Sequence, residues 1–324
     1  MSSPVATLVL IAGIALLGLG ADVLIRGAVT IAKSLRISAA VIGLTIVSMG
    51  TSLPELTVSI AAALRGSSDL ALGNAIGSNL FNIGVVLGIS AVILPMRVHG
   101  SAVRLEWPFM FLASFQLLML ARDGQLDRLE GGFFVTGLAL FTWYAVLIGR
   151  KAVSGEEASD LEYEVTRRAP LAHLRSLGGA LGLIAAGVAL LVVGGDLLVR
   201  GATVLARAFG MTERMIALTV VAMGTGAPEA FTSIVAARRG QSEIALGNVI
   251  GSNIFNILGI LGVTAMVRPL TVSAPILHGD LWWMLGLSLL LFPIMRSKGE
   301  ITRFEGAVLL VAYGTYLGLT AFIH

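Results

Sequence analysis

The feature that most constrains this chain is a succession of long apolar segments joined by short polar loops. Each segment is roughly 17–30 residues long, enough to cross the hydrocarbon core of a bilayer as a helix. The ten segments lie at 5–31, 38–64, 69–96, 106–121, 131–149, 176–206, 213–237, 242–267, 279–295 and 304–322. Only 13% of the residues are charged, whereas soluble domains carry about a quarter. The sequence therefore predicts an all-α polytopic membrane protein with ten transmembrane helices.

Basic residues in the loops predict the orientation of these helices. The loops after the odd-numbered helices contain fourteen Lys and Arg, and the loops after the even-numbered helices contain six. Because cytoplasmic loops are enriched in Lys and Arg, we expect the first set in the cytoplasm and both termini outside a cell (inner) membrane. The longest polar interruption, 151–175, is then a cytoplasmic linker between two five-helix halves, 1–150 and 176–324.

Two segments 174 positions apart are copies of one another. Residues 45–88 and 219–262 align without a gap, and 27 of 44 positions are identical. The identities include Pro, Glu, Asn and Arg, so the match reflects an internal duplication and not apolar low complexity. Five predicted helices, an odd number, separate the copies. The second copy therefore enters the membrane from the opposite face, which predicts an inverted-topology repeat.

Each copy places a proline and a glutamate inside an apolar segment, in GTSLPE at 50–55 and GTGAPE at 224–229. Proline has no N–H, so Pro54 and its counterpart leave the carbonyl four residues earlier without its helical donor. An acidic side chain at the membrane centre costs about 2.5–3.5 kcal/mol even on the lenient insertion scale. Glu55 and Glu229 would also repel each other across the repeat axis. A divalent cation, or two monovalent ones, offsets both penalties, so the motif predicts a mid-membrane cation site.

Oxygen-bearing side chains follow on one face of the next predicted helix in each copy. They are spaced four residues apart and form one stripe. The stripe contains Asn74, Ser78, Asn82, Asn248, Ser252 and Asn256. Asn79 and Asn253 lie about 100° away around the helix, so we do not expect them to join it. Carboxylate, hydroxyl, amide and carbonyl oxygens suit Ca²⁺ or Na⁺.

The motifs GTSLPE and GNAIGSNLFNI, in two inverted copies of five helices, resemble the repeats of the Ca²⁺:cation antiporter superfamily, especially prokaryotic Na⁺/Ca²⁺ exchangers. The resemblance covers both copies and the ten-helix layout. It implies that Glu55 and Glu229 bind both Ca²⁺ and Na⁺, with Asn82 and Asn256 at the centre. It implies that the first and sixth helices slide across the core during alternating access. The flanking Na⁺ ligands that it implies are Thr51, Thr225, Ser52, Ser78 and Ser252, with backbone carbonyls near Ser48 and Ala222.

Two positions depart from the family pattern. Gly226 replaces the serine expected in the second motif, so one hydroxyl ligand is missing from a Na⁺ site. Asn256 occupies a position where many relatives, including K⁺-dependent ones, carry an aspartate. This second departure argues against K⁺ dependence.

The function predicted from the sequence is secondary antiport of Ca²⁺ against Na⁺, by a chain that acts as a monomer and needs no cofactor. Ca²⁺/H⁺ antiport on the same fold and a cation channel remain open as alternatives. The chain has no HExxH, GxSxG or nucleotide-binding loop, so we do not expect an enzyme. Its arginines are scattered over short loops, so we expect no nucleic-acid partner.

Other intramembrane residues have structural explanations. Asp22 with Arg26, and Asp196 with Arg200, are four residues apart and are expected to form ion pairs within one helix. The spacings Gly73-x-x-x-Gly77 and Gly247-x-x-x-Gly251 are typical of close helix packing, an explanation that does not exclude lining the site.

Overall fold

The computed structural model describes residues 3–35, 37–152, 177–211 and 222–323, and nearly all of them are helical. The helices are α1 (Ser3–Leu35), α2 (Ala39–Thr51), α3 (Leu53–Leu64), α4 (Ser68–Ile93), α5 (Ala102–Asp123), α6 (Arg128–Ala152), α7 (Leu177–Ala208), α8 (Ala222–Thr225), α9 (Ala227–Arg238), α10 (Ser242–Val267), α11 (Ile276–Ser297) and α12 (Arg303–Ile323). Several of them contain a wider π-helical turn, at 43–47, 82–87, 102–106, 255–261 and 276–280.

Seven described helices are long and apolar enough to cross a membrane, namely α1, α4, α5, α6, α7, α10 and α11. Helices α2 and α3 together make an eighth candidate span, bent by 46°. The all-helical membrane fold is thus confirmed. The count of ten stays a prediction, because 153–176 and 212–221 lie outside the described residues. Those gaps contain most of the predicted linker 151–175 and the start of the predicted helix 213–237.

Helices α1 and α7 pack against each other along a seam of glycines. On α7, Gly187, Gly194 and Gly201 recur every seven residues. A Cβ atom on these glycines would lie 2.6, 2.9 and 2.7 Å from the backbone nitrogens of Leu24, Leu17 and Leu10, respectively. Only glycine allows backbones to approach so closely. The contacts descend α1 as they ascend α7, so these helices, equivalent in the two repeats, run antiparallel.

In the described part of the chain, four two-residue strands pair across the two halves. They are β1 (Met96–Arg97), β2 (Gln125–Leu126), β3 (Leu270–Thr271) and β4 (Glu300–Ile301). Strand β1 pairs antiparallel with β4, and β2 pairs antiparallel with β3. Each pair therefore combines one strand from the first half with one from the second.

Helix α10 forms the centre of the molecule, and every residue from 244 to 262 is buried. Gly247 and Gly251 of this helix meet the backbone of α2, so the predicted close packing is confirmed for this copy of the spacing. It is wrong for the first copy, because a Cβ atom on Gly73 or Gly77 would have no neighbouring element within 4 Å.

The predicted ion pairs are present, one within α1 and one within α7. Arg26 Nε lies 2.7 Å from Asp22 Oδ2, and Arg200 Nε lies 2.8 Å from Asp196 Oδ2. Asp22 also pairs with Arg239, which follows α9. The prediction of structural pairs within one helix is confirmed, and the first pair extends to a neighbouring helix.

Candidate ion-binding site

Both copies of the motif interrupt a helix just before the glutamate. Ser52 separates α2 from α3 with φ −89° and ψ 8°, and Gly226 separates α8 from α9 with φ −81° and ψ 0°. The proline follows in the first turn of each new helix, where its missing N–H is tolerated. Glu55 and Glu229 also lie in that first turn, at the end of the helix that favours negative charge. The predicted break in each copy is therefore present.

The two carboxyl groups are buried. Glu55 and Glu229 are each 1% exposed. Ser52 donates its hydroxyl to Glu229 Oε1 at 2.9 Å, which links the first repeat to the second. Among the described residues, Glu229 Oε2 and both carboxylate oxygens of Glu55 have no hydrogen-bond partner.

Asn74 and Asn248 hold the backbone at the two glutamates. Asn74 Nδ2 donates to the carbonyl of Glu55 at 3.0 Å and to Ser59 Oγ at 2.9 Å. The equivalent atom of Asn248 donates to the carbonyl of Glu229 at 3.4 Å and to Ser233 Oγ at 3.0 Å. These asparagines were predicted as members of a ligand stripe. Their amide nitrogens fix the first turns of α3 and α9 against α4 and α10, and the role of their amide oxygens as ligands stays a prediction.

Three further oxygens of the predicted stripe are buried without a partner in the described part of the chain. They are Asn82 Oδ1, Asn256 Oδ1 and Ser252 Oγ. With the carboxylate oxygens they make six unpartnered acceptors contributed by α3, α4, α9 and α10. Buried polar atoms are normally hydrogen-bonded, and unpaired buried charge is costly. A set of hard oxygens in this condition fits Na⁺ or Ca²⁺.

The other predicted ligands surround the motif but have various contacts. Thr51 Oγ1 donates to the Ser48 carbonyl at 3.2 Å and contacts Asn248 Oδ1 at 3.3 Å. The Ser48 carbonyl also accepts a hydrogen bond from the Ser52 amide at 3.0 Å, so this carbonyl is part of the hydrogen bonding at the C-terminal end of α2. Ser78 is buried on α4. In the second copy, Thr225 is half-buried in α8, and Ala222 begins that helix.

The position of the missing hydroxyl is filled by an aromatic ring. A Cβ atom on Gly226 would lie 2.5 Å from Cδ1 and Cε1 of Phe81. The same ring makes an edge-to-face contact with Tyr313, at a centroid separation of 6.1 Å. The sequence alone does not reveal Phe81 as this neighbour, because no spacing within one repeat places a residue of α4 against the break before α9.

Comparisons with known proteins find relatives that match this chain over nearly its whole length. The chain matches the family described as sodium/calcium exchanger protein over residues 5–147 and 179–322. It is 38% identical over 315 residues to the putative antiporter CaxA of Alkalimonas amylolytica, covering 96% of this chain and 97% of that one. It is 31% identical to the sodium/calcium exchanger MaX1 of Methanosarcina acetivorans, with 98% of both chains covered.

The fold is also similar to solved structures. The sodium-calcium exchanger NCX_Mj superposes with a TM-score of 0.81 at 29% sequence identity, and the match covers 97% of this chain and 98% of that protein. The similarity therefore extends over the whole arrangement of helices and is not confined to the motifs.

Proposed function

The chain belongs to the sodium/calcium exchanger protein family, and on that premise we propose that it is a secondary active antiporter exchanging Ca²⁺ for Na⁺ at a site built around Glu55 and Glu229. The observation that carries the proposal is the set of six buried oxygens without a described partner, three of which belong to carboxylates. Antiport, not enzymatic chemistry, is the activity that such a set supports.

Charge explains why the site exchanges ions and does not merely bind them. Two ionised carboxylates in a low-dielectric interior need about two positive charges, since an uncompensated buried charge is strongly destabilising. One Ca²⁺ or two Na⁺ satisfy this need equally. An occluded state without any cation would leave both carboxylates unpaired. The site therefore switches readily from one side of the membrane to the other only when it holds Ca²⁺ or Na⁺. Net transport then requires that one ion species replace the other.

The oxygens beyond the carboxylates favour Na⁺ over H⁺ as the counter-ion. A proton would neutralise a carboxylate without needing other ligands, whereas Na⁺ must replace several waters of hydration. Asn82 Oδ1, Asn256 Oδ1 and Ser252 Oγ supply such oxygens. Ca²⁺/H⁺ exchange remains the second candidate because Gly226 contributes no hydroxyl and its surroundings are aromatic. The channel alternative is less well supported, since the two carboxylates are buried.

The α1–α7 pair is the element we propose to move during alternating access. Its glycine seam holds α1 and α7 together as one unit, and α7 contacts both motifs. A Cβ atom on Gly50 would lie 2.9 Å from Val188 of α7, and one on Gly195 of α7 would lie 3.3 Å from the Gly224 carbonyl. Motion of α7 is thereby coupled to both helix breaks. The antiparallel run of α1 and α7 supports the inverted topology. The proposed sidedness, with both termini outside the cell and the 151–175 loop in the cytoplasm, rests on the basic residues of the loops.

Flux measurements in proteoliposomes test the proposal. We expect an outward-directed Na⁺ gradient to drive uptake of radiolabelled Ca²⁺, and a pH gradient of matched size to drive little. Uptake driven by the pH gradient and indifferent to Na⁺ would replace this proposal with Ca²⁺/H⁺ exchange. Unitary currents in planar bilayers, without any counter-ion requirement, would replace it with a channel.

A further inference from the structure

Four buried asparagines from the two repeats form a symmetric cluster between α4 and α10. Asn82 Nδ2 donates to Asn253 Oδ1 at 3.2 Å, and Asn256 Nδ2 donates to Asn79 Oδ1 at 3.0 Å. Both hydrogen bonds cross from one repeat to the other. Asn79 and Asn253 are the residues that the sequence placed outside the ligand stripe, and each is 1% exposed.

The orientation of Asn79 is fixed by a group that can only accept a hydrogen bond. Its Nδ2 donates to the backbone carbonyl of Asn253 at 3.2 Å, and lies 3.5 Å from Met284 Sδ. The opposite end of the amide, Oδ1, must then face Asn256 and can only accept. Asn256 therefore presents its nitrogen to Asn79 and leaves its own Oδ1 without a partner in the described chain.

Asn253 orients the Asn82 amide in the same way, although the Asn253 amide is itself held by a weaker acceptor. Its Nδ2 lies 3.5 Å from the sulfur of Met110, a weak acceptor, and its Oδ1 accepts from Asn82. Asn82 Oδ1 is left buried and unpartnered. Met110 and Met284 are themselves equivalent by the offset of 174, so the arrangement follows the repeat except for the bond from Asn79 to the Asn253 carbonyl.

We propose that Asn79 and Asn253 are positioning residues, which hold the amides of Asn256 and Asn82 with their oxygens turned toward the transported cation. The proposal rests on the function proposed above. An amide can rotate by 180° at little steric expense, and in the wrong orientation its NH₂ group would repel a cation. A hydrogen bond from the other repeat removes that orientation. The same bonds join the two halves of the site at its centre, next to the π-helical turns at 82–87 and 255–261.

Crossed double-mutant cycles test this assignment. The single variants Asn79→Leu, Asn253→Leu, Asn82→Leu and Asn256→Leu are compared in Na⁺-driven Ca²⁺ exchange and in equilibrium binding of Ca²⁺ to the purified full-length protein. We expect Asn79→Leu and Asn253→Leu each to raise the half-saturating Ca²⁺ concentration about tenfold, the equivalent of one lost favourable contact. Maximal turnover should change less than half-saturation.

The double variants separate positioning from general stability. Asn79→Leu should add little to Asn256→Leu, and Asn253→Leu should add little to Asn82→Leu, because each positioning residue acts through its hydrogen-bonded partner. The control double variants are Asn79→Leu with Asn82→Leu and Asn253→Leu with Asn256→Leu. In these, the two single effects on the half-saturating Ca²⁺ concentration should multiply. Equal multiplication in both kinds of pair overturns the proposal. Where a Leu variant does not fold, the Ala variant enters the same cycle.

Glu55→Gln in the same binding assay distinguishes this proposal from the function on which it rests. Unchanged Ca²⁺ binding in Glu55→Gln contradicts the proposed site itself. Lost binding in that variant, together with multiplying effects in the hydrogen-bonded pairs, contradicts only the role of Asn79 and Asn253.

Discussion

The two copies of the motif are built alike but treat their glutamates differently. In the first copy, Ser52 reaches across the repeat boundary and donates to Glu229. In the second copy, Gly226 has no side chain, and the Phe81 ring lies over it. The Glu229 carboxylate therefore has a side-chain hydrogen-bond donor, while the Glu55 carboxylate has none among the described residues. The difference shows that a duplicated site need not keep two equivalent halves.

The two repeats also differ in the glycine against which the equivalent phenylalanine packs. In the second repeat Phe255 packs over Gly259 of its own helix, where a Cβ atom would lie 2.8 Å from the ring. In the first repeat the position equivalent to Gly259 is Val85, which has a side chain where Gly259 has none. Phe81 instead packs over Gly226. We therefore expect the residues at 85 and 226 to be linked through the position of the Phe81 ring.

The largest effect is expected where the two copies still agree. Glu55→Gln and Glu229→Gln should each reduce Ca²⁺ flux by more than about 100-fold, because breaking buried charge compensation costs roughly 3–5 kcal/mol. Gln at 229 can still accept from Ser52, so a milder loss there would show that the hydroxyl, not the charge, dominates. Radiolabelled Ca²⁺ uptake is the measurement. Asp69→Asn, an exposed carboxylate in a first helical turn, is the control and should have normal flux.

Removing the hydroxyl of the first copy should make the two copies alike. Ser52→Ala leaves Glu229 without its side-chain donor, and a hydrogen bond to a charged group is worth about 1.5–3 kcal/mol. We expect the half-saturating Na⁺ concentration to rise about tenfold or more. Ser90→Ala removes another buried hydroxyl, one without a partner among the described residues, and should leave the Na⁺ dependence unchanged. Equal effects of the two changes would mean that the Ser52 contact is not functional.

Adding a hydroxyl to the second copy should fail unless the ring is moved. Gly226→Ser forces its Cβ atom against Phe81, and overpacking of this kind typically costs about 1–3 kcal/mol. We expect a lower midpoint of thermal unfolding in detergent and no gain in Na⁺ affinity. Gly226→Ser combined with Val85→Gly recreates the packing of the second repeat and should recover the lost stability.

The combined variant also tests the ligand interpretation. With the ring packed over the new glycine, the serine is free to bind Na⁺, and the Na⁺ concentration for half-maximal exchange should fall several-fold. Val85→Gly alone is the control for loss of helix stability. A single Gly226→Ser variant that is as stable as the parent would contradict the packing argument.

The smallest effect is expected for K⁺, at a position where the copies are identical. Asn82 and Asn256 both offer an amide oxygen, where K⁺-dependent relatives are expected to have a full negative charge. Replacing K⁺ by choline on both sides of the membrane should leave Na⁺-driven Ca²⁺ flux unchanged. A strict requirement for K⁺ would overturn this interpretation of Asn256.

The sequence by itself determined the membrane class, the duplication and the break before each glutamate. These follow from patterns within one segment: apolar length, an offset of 174, and a proline whose N–H is missing. The oxygen stripe was also visible, because side chains four residues apart share a helix face. The sequence did not show which of those oxygens remain without a hydrogen-bond partner, and it grouped Asn74 and Asn248 with Asn82 and Asn256.

Only the tertiary structure decided how the two repeats meet. It turned Asn74 and Asn248 toward the backbone of the glutamates, brought Asn79 and Asn253 against the amides of the opposite repeat, and laid Phe81 over Gly226. Each of these contacts joins residues from different helices, most of them more than 140 positions apart. Local spacing fixes the face of a helix on which a side chain lies, whereas the atom it meets depends on how separate helices pack.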